Sequence, residues 1–174
     1  MIVNGKPYRS IWYDSANESV KIIDQTLLPH HFEIKTINNV TEMVEAIKAM
    51  RVRGAPLIGV AAAFGLYLAL REDPNSKKEA IDYLLGARPT AVNLAWAMGK
   101  AEKVLESASP SSLLSTALNF ALALADDDVR TCEAIGVAHK RIEERYALKG
   151  LAVFICGKSF GQVCPRRRIR EEAL

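Results

Sequence analysis

Cysteine and histidine are scarce in this chain. Its 174 residues hold three of each, and Cys132, Cys156 and Cys164 stand at unrelated spacings with no CxxC pair. An odd number of cysteines in this arrangement argues against a disulfide framework and a zinc site, and it fits a reducing cytoplasm. We therefore expect a cytoplasmic protein without a bound metal.

The chain also lacks a segment suited to a membrane. Its most apolar stretch, Ala55 to Leu70, is shorter than the roughly 20 residues that a bilayer-spanning helix needs, and we interpret it as a buried helix. The first residues, Met1 to Pro7, show no charged-then-apolar signal-peptide pattern. We expect no contact with a membrane.

Excess positive charge is missing from most of the chain. The formal net charge is +3, and five basic residues against two acidic ones after Gly157 account for all of it. The body of the chain is therefore formally neutral, and the sequence pI of 8.8 says little about it. The basic tail is too short, and too poor in interleaved aromatic residues, to predict nucleic-acid binding.

Short β-branched and aromatic runs predict an α+β fold that opens with a small antiparallel β unit over residues 1–36. Arg9 to Tyr13 and Val20 to Ile23 are the expected strands, and the turn formers from Asp14 to Asn17 separate them. Phe32 to Thr36 is expected to add a third short strand.

Helical periodicity dominates residues 37–149, which we expect to form a helical domain. Asn39 or Thr41 is expected to cap the first helix, and Pro56 to begin a second whose small residues favour close packing. A charged helix to about Leu85 follows, and further helices are expected to begin near Thr90 and Ser109. The apolar face expected for the first helix is Met43, Val44, Ile47 and Met50. For the fourth helix it is Ala91, Leu94, Ala95, Met98 and Leu105, and for the fifth it is Leu113, Ala117, Phe120, Ala121 and Leu124.

Two later segments carry less regular patterns. Asp126 to Asp128 is expected to begin another helix, where acidic residues favour the positive dipole end, and three consecutive residues there do not converge on a metal. Leu151 to Cys156 is continuously apolar, as in a buried parallel strand, so residues 150–174 predict the start of an incomplete Rossmann-like domain. Gly157-Lys158-Ser159 is not a P-loop, because that pattern needs glycine where Ala152 stands.

The segment Arg53-Gly54-Ala55-Pro56 is the first candidate binding site. Pro56 suits the first turn of a helix, whose free N–H groups and positive dipole end would lie beside the bare backbone of Gly54. Arg53 adds a guanidinium that can grip phosphate oxygens in a bidentate manner. These residues alone fit either a sugar-phosphate site or an ordinary proline-started helix. Arg88-Pro89-Thr90 repeats the arrangement, and the two segments could hold opposite ends of one phosphorylated sugar.

Two other residues are candidates for chemistry. Cys156 ends the expected parallel strand, where α/β active sites gather, but a cysteine at such a place is also a common small core residue. His139 shares a helical stripe with Cys132 and Ile135, where a structural histidine is the commoner explanation.

Three segments together resemble the 5-methylthioribose-1-phosphate isomerases of methionine salvage. They are Ile23 to Pro29, Val52 to Ala63 and Ala87 to Leu94, and in order and approximate spacing the resemblance covers most of the chain up to about Gly136. It implies a small N-terminal β unit, a helical domain and a Rossmann-like C-terminal domain.

The resemblance also implies a site. Arg53, Gly54, Ala55 and Arg88 are expected to bind the phosphorylated pentose, and the full-length family is expected to form homodimers. The reaction opens the sugar ring and passes a proton or hydride between C2 and C1, which acid–base groups can accomplish without a metal or organic cofactor. The family assigns catalysis to a cysteine, to which Cys156 lies close in position, and to a later aspartate.

Around Cys156 the sequence departs from the family pattern. Phe154-Ile155 precede it and Gly157-Lys158-Ser159 follow it, where the family has Thr-His and Asn-Ala-Gly, and we find no counterpart of the aspartate. We therefore expect an N-terminal portion of an isomerase that is inactive alone. A regulatory subunit of the translation initiation factor 2B type and a ribose-1,5-bisphosphate isomerase are the alternatives.

Overall fold

The computed structural model describes residues 2–3 and 5–146, without the side chains of Ile2 and residues 142–146. The expected strand Leu151 to Cys156, and with it the Rossmann-like segment 150–174 and its basic tail, lie outside the described residues. The predictions for that segment therefore stay predictions.

The N-terminal region is built of short antiparallel strands. β1 (Ile2–Val3) pairs with β2 (Lys6–Pro7). A second sheet has the order β3-β4-β5, with β3 at Ile11–Asp14, β4 at Ser19–Ile23 and β5 at Ile34–Ile37. The predicted β unit is confirmed, with its third strand two residues later than expected at the start and one at the end.

Five helices follow the sheet. They are α1 (Val40–Lys48), α2 (Ala55–Glu72), α3 (Lys77–Leu85), α4 (Val92–Glu106) and α5 (Leu113–Tyr146). The other four all pack against α2, and every residue from Leu57 to Leu70 is buried. Among the described residues α2 alone is long and apolar enough to cross a membrane, but 78% of it is buried inside the structure, which makes it the core helix that the sequence predicts.

Glycines in α2 allow two other elements to come close. A Cβ atom built on Gly59 would lie 2.9 Å from the backbone oxygen of Asn93 in α4. A Cβ atom on Gly65 would lie 2.8 Å from Leu84 in α3 and 3.0 Å from Met43 in α1. The predicted close packing on small residues is confirmed, and it sets the separation between α2 and its neighbours.

The sheet and the helices share one hydrophobic core. Val20 and Ile22 of β4 and Ile37 of β5 are buried in the same cluster as the residues of α2. In the turn after β4, the Gln25 N–H donates to the Arg51 carbonyl oxygen at 2.9 Å. This hydrogen bond joins that turn to the segment between α1 and α2.

The end of α1 corrects the apolar face expected for this helix. Asn39 is the N-cap, and Met43, Val44 and Ile47 are buried as predicted. Met50, however, lies beyond the helix with φ +57° and is 41% exposed. The chain reverses there, because the N–H groups of Met50 and Arg51 donate to the carbonyl oxygens of Ile47 and Ala46, the pattern of a Schellman ending.

Two expectations for α4 are wrong. The helix begins at Val92, two residues after Thr90, with Ala91 at the N-cap position, and α5 likewise begins at Leu113, four residues after Ser109. A turn precedes α4, in which the Ala91 N–H donates to the Arg88 carbonyl oxygen at 3.0 Å. Ala95 is exposed, whereas the buried face comprises Leu94, Ala97, Met98, Ala101 and Leu105.

The acidic triplet does not begin a helix. Asp126 to Asp128 lie in the interior of α5, which runs without a break from Leu113 to Tyr146. Asp126 pairs with Arg9 at 2.5 Å, and Asp127 with Arg130 one turn later at 3.3 Å. No glycine or proline lies close to the triplet, and cations compensate two of its three carboxylates, which is consistent with a helix that continues through it.

Candidate anion-binding site

The start of α2 leaves its first turn without an internal acceptor. Gly54 is the N-cap residue, with φ +105° and ψ +128°, a conformation that strongly favours glycine. It makes no side-chain cap, and the first turn of α2 contains no acidic residue. Ala55 and Pro56 are exposed. The positive end of the helix dipole is therefore open to an external anion.

The start of α1 shows how a helix in this chain closes its own end. The Asn39 side chain accepts a hydrogen bond from the Glu42 N–H at 2.8 Å, and Glu42 in turn accepts one from the Asn38 N–H at 2.7 Å. This arrangement resembles a capping box, except that Glu42 accepts from the residue before the N-cap, and it supplies both oxygen acceptors and negative charge. The starts of α2 and α4 have neither a side-chain cap nor a first-turn acid.

Arg53 presents an exposed guanidinium immediately before this turn. Its Nε donates to the Met50 carbonyl oxygen at 3.1 Å, and within the described part of the chain it has no carboxylate partner. Arg51, two residues earlier, is used differently, because it pairs with Asp24 at 3.5 Å and with Glu45 at 3.2 Å. Of these two arginines, Arg53 is the one whose charge is left uncompensated.

Arg88 occupies the corresponding place before α4. It is half-buried, and among residues 5–141 no carboxylate pairs with its guanidinium. Pro89 and Thr90 are exposed in the turn that leads to Ala91. The chain therefore carries a second arginine without an ion-pair partner close to an uncapped helix start.

The two helix starts lie side by side. The close approach of Gly59 to Asn93 joins the second turn of α2 to the first turn of α4. Pro56, Val60, Val92 and Trp96 line an open cleft of about 340 Å³ along this contact. The starts of α2 and α4 thus lie against each other, and Arg53 and Arg88 each precede one of them, although neither arginine is among the residues that line this cleft.

The wall of the cleft from α5 is acidic and partly apolar. Asp127, Asp128 and Leu124 line it together with Thr131. Trp96 and Val92 remain 47% and 77% exposed. Because carboxylates repel an anion, the α5 wall is unfavourable to one, whereas the positive dipole ends of α2 and α4 attract one.

The other sequence-predicted residues lie away from these helix starts or outside the described chain. His139 is half-exposed on α5, on a stripe where Cys132 is buried and Ile135 is 44% exposed. Cys156 lies outside the described residues. In the part of the chain that the structure describes, no three His, Cys, Asp or Glu side chains are grouped to hold a metal ion.

Sequence reasoning from single motifs missed one contributor, Gln25. Its side-chain oxygen accepts a hydrogen bond from the Arg53 N–H at 3.0 Å, across 28 positions of sequence. The available signal was that Gln25 belongs to Ile23 to Pro29, one of the three segments that carry the family resemblance. No local periodicity indicates such a contact.

Comparison with known proteins shows the family of this chain. A sequence profile described as the initiation factor 2 subunit family matches residues 51–150, more than half of the chain. A protein of Methylocella silvestris named methylthioribose-1-phosphate isomerase is 50% identical over 139 residues, which are 79% of this chain and 38% of that protein. The chain spans about 40% of the length of the curated isomerases that it matches.

Two solved structures share the fold. The 5-methylthioribose 1-phosphate isomerase of Pyrococcus horikoshii superposes with a TM-score of 0.64 at 37% identity, covering 71% of this chain and 37% of that one. The delta subunit of translation initiation factor eIF-2B from A. fulgidus gives 0.63 at 39% identity, over 71% and 38%. The chain belongs to the initiation factor 2 subunit family, in which it is similar to proteins named methylthioribose-1-phosphate isomerase.

Proposed function

We propose that this chain binds 5-methylthioribose 1-phosphate as part of the isomerase that forms 5-methylthioribulose 1-phosphate in methionine salvage. The observation that carries the proposal is the pair of uncapped helix starts, each preceded by an arginine without a carboxylate partner in the described chain. The names of the similar proteins supply the identity of the sugar.

In this proposal the phosphate is the anchor of the substrate. Arg53 and Arg88 supply charge, and the backbone around Gly54 and Ala55 supplies N–H donors. The phosphate is attached to C1, and the hydrogen must move between C2 and C1. Fixing the phosphate therefore also fixes C1, one of the two reacting carbons. The contribution of these residues is therefore orientation of the reacting carbons and neutralisation of phosphate charge.

Acid–base chemistry is proposed to come from another part of the site. Cys156 is our candidate for one catalytic group, on the strength of its position after the apolar segment from Leu151. We also propose a cytoplasmic homodimer, as the family resemblance implies. No metal or organic cofactor is required, since the isomerisation leaves the overall oxidation state of the sugar unchanged.

A ligand-protection experiment tests the binding step. Methylthioribose 1-phosphate at about 100 times its Kd should stabilise the parent chain by about 2.7 kcal/mol, seen as a rise in the melting temperature. Arg53→Ala and Arg88→Ala should lose most of this rise. Arg130→Ala, which removes an exposed arginine of α5, is the matched control and should keep it.

The same experiment separates the alternatives. Protection by ribose 1,5-bisphosphate, and none by methylthioribose 1-phosphate, would identify the rival isomerase. The alternative of a regulatory subunit has a structural neighbour in the eIF-2B delta subunit. Absence of protection by either sugar would favour this alternative. Ketose formation is followed in parallel, because binding and turnover are separate claims.

A further inference from the structure

We propose that Gln25 is a positioning residue for the Arg53-Gly54 turn, and that sugar-phosphate affinity depends on its side-chain amide. The inference rests on the proposed function, because it concerns the same site. Gln25 does not itself reach the substrate in this account. Its effect passes through the backbone of residues 51–53.

Two hydrogen bonds join Gln25 to that backbone. The Gln25 N–H donates to the Arg51 carbonyl oxygen at 2.9 Å, and the Gln25 Oε1 accepts from the Arg53 N–H at 3.0 Å. Val52, between the two arginines, is fully buried. Gln25 therefore binds the backbone on both sides of Val52, whose side chain is buried in the core.

The residue before Gln25 is held in place by several hydrogen bonds and ion pairs. Asp24, which precedes it directly, is 3% exposed and accepts hydrogen bonds from the Thr26 N–H at 3.0 Å and the Thr26 hydroxyl at 2.5 Å. Arg51 and Lys35 approach its other oxygen at 3.5 and 3.9 Å. The Asp24 N–H donates to the Glu33 carbonyl oxygen. The Thr26 N–H, the two cations and the Asp24 N–H together hold this carboxylate and its backbone without the Thr26 hydroxyl, so the backbone from which Gln25 reaches stays fixed when that hydroxyl is removed.

The turn needs such a constraint because it ends in glycine. Gly54 can adopt many backbone conformations, and only some of them leave the first turn of α2 open beside the Arg53 guanidinium. The Gln25 amide oxygen holds the Arg53 N–H and selects the orientation seen here, with the Arg53 Nε on the Met50 carbonyl oxygen. The site is thereby organised before an anion arrives, which lowers the ordering cost of binding.

The test compares three variants of the full chain. Gln25→Met keeps the length of the side chain and removes the acceptor, whereas Gln25→Glu keeps an acceptor at the same reach. Thr26→Val is the matched control, because it removes a hydrogen bond to Asp24 and leaves the Arg53 contact untouched. Two quantities are measured: the Kd for methylthioribose 1-phosphate and the hydrogen-exchange rate of the Arg53 amide by NMR.

Gln25→Met should raise both the Kd and the Arg53 exchange rate about two- to tenfold, the factor expected from one lost hydrogen bond. Gln25→Glu should keep the slow exchange, and Thr26→Val should leave both quantities near the parent values. Unchanged exchange and Kd in Gln25→Met, or an equal weakening in Thr26→Val, would overturn the proposal. If the parent chain binds no sugar phosphate, the proposed function fails, while the exchange rate still decides whether Gln25 holds the turn.

Discussion

The hydroxyl oxygens of Tyr13 and Tyr67 lie 3.0 Å apart, and their rings meet edge to face with centroids 5.6 Å apart. The pair joins β3 to the middle of α2 at the boundary between the sheet and the helices. Burial, together with the hydrogen bond to Tyr13, raises the pKa of Tyr67 to about 12. The folded chain therefore resists ionisation of this phenol.

This relationship predicts a loss of stability at alkaline pH. The unfolded chain releases the Tyr67 proton near its ordinary pKa of 10.0 and the folded chain only near 12, so the contribution is complete below about pH 10 and disappears between 10 and 12. Tyr67→Phe should be less stable by about 1 kcal/mol at neutral pH, and its disadvantage should shrink over this window. Urea unfolding at several pH values measures it, with exposed Tyr83→Phe as the control; parallel curves for parent and Tyr67→Phe would contradict it.

Asp14 predicts the opposite behaviour in acid. Hydrogen bonds from Lys21 and Asn17 lower the pKa of this carboxyl from 3.8 to about 2, and the Lys21 Nζ lies 2.7 Å away. The stabilisation is present above about pH 4 and is lost as the pH falls toward 2. Asp14→Asn should be less stable than the parent at neutral pH, and the difference should close in that window.

The matched control for Asp14 is Asp82→Asn, on the exposed face of α3. Its unfolding free energy should follow the parent curve without the same convergence. A constant gap between parent and Asp14→Asn from neutral pH to pH of about 2 would show that the ion pair with Lys21 contributes nothing to acid sensitivity.

Three glycines predict three different responses to alanine. Gly59→Ala should cost about 1–3 kcal/mol, because the new methyl meets the Asn93 backbone oxygen at 2.9 Å and backbone cannot move aside cheaply. Gly65→Ala should cost less, because the atoms it meets belong to flexible Leu84 and Met43 side chains. Gly99→Ala meets nothing within 4 Å and should gain about 0.5–1 kcal/mol in helix propensity. Denaturant midpoints give the order, and a neutral Gly59→Ala would contradict the close approach of α2 and α4.

Met50 predicts a stabilising substitution near the site. Its φ of +57° costs an L-residue about 1 kcal/mol that glycine does not pay. Met50→Gly should therefore raise the unfolding free energy by about 1 kcal/mol, while Met50→Ala, which keeps a Cβ, should not. Chemical denaturation of the two variants distinguishes these outcomes, and equal stability of both would mean that the strain is relieved elsewhere.

Local rules explain which parts of the fold were predictable. Pro56 has a fixed φ that suits the first turn of a helix, so the start of α2 follows from the sequence within a residue. Near Arg88 the same rule misplaced the helix start, because a turn closed by the Arg88 carbonyl oxygen separates Pro89 from Val92. A proline therefore marks the start of a helix only where the residues directly after it have helical backbone angles.

Long-range contacts explain what was missed. The sequence places the acidic triplet at a helix start because acidic residues favour the positive dipole end, whereas the triplet lies inside α5 and Asp126 pairs with Arg9 across 117 positions. Gln25 reaches Arg53 in the same way across 28 positions. Periodicity and capping rules consider only residues that are close in sequence, so they do not predict interactions between the β unit and the helices.

The bond between Gln25 and Arg53 also limits how the site can be transplanted. A fragment that begins at residue 37 would retain Arg53, Gly54, Ala55 and Arg88, yet it would lose the acceptor of the Arg53 N–H and the buried carboxylate beside it. A designer who grafts the Arg53-Gly54 turn onto another scaffold must therefore also include the residues that follow β4. The smallest unit that could be transplanted therefore consists of two segments that are separate in the sequence, one around Gln25 and one around Arg53.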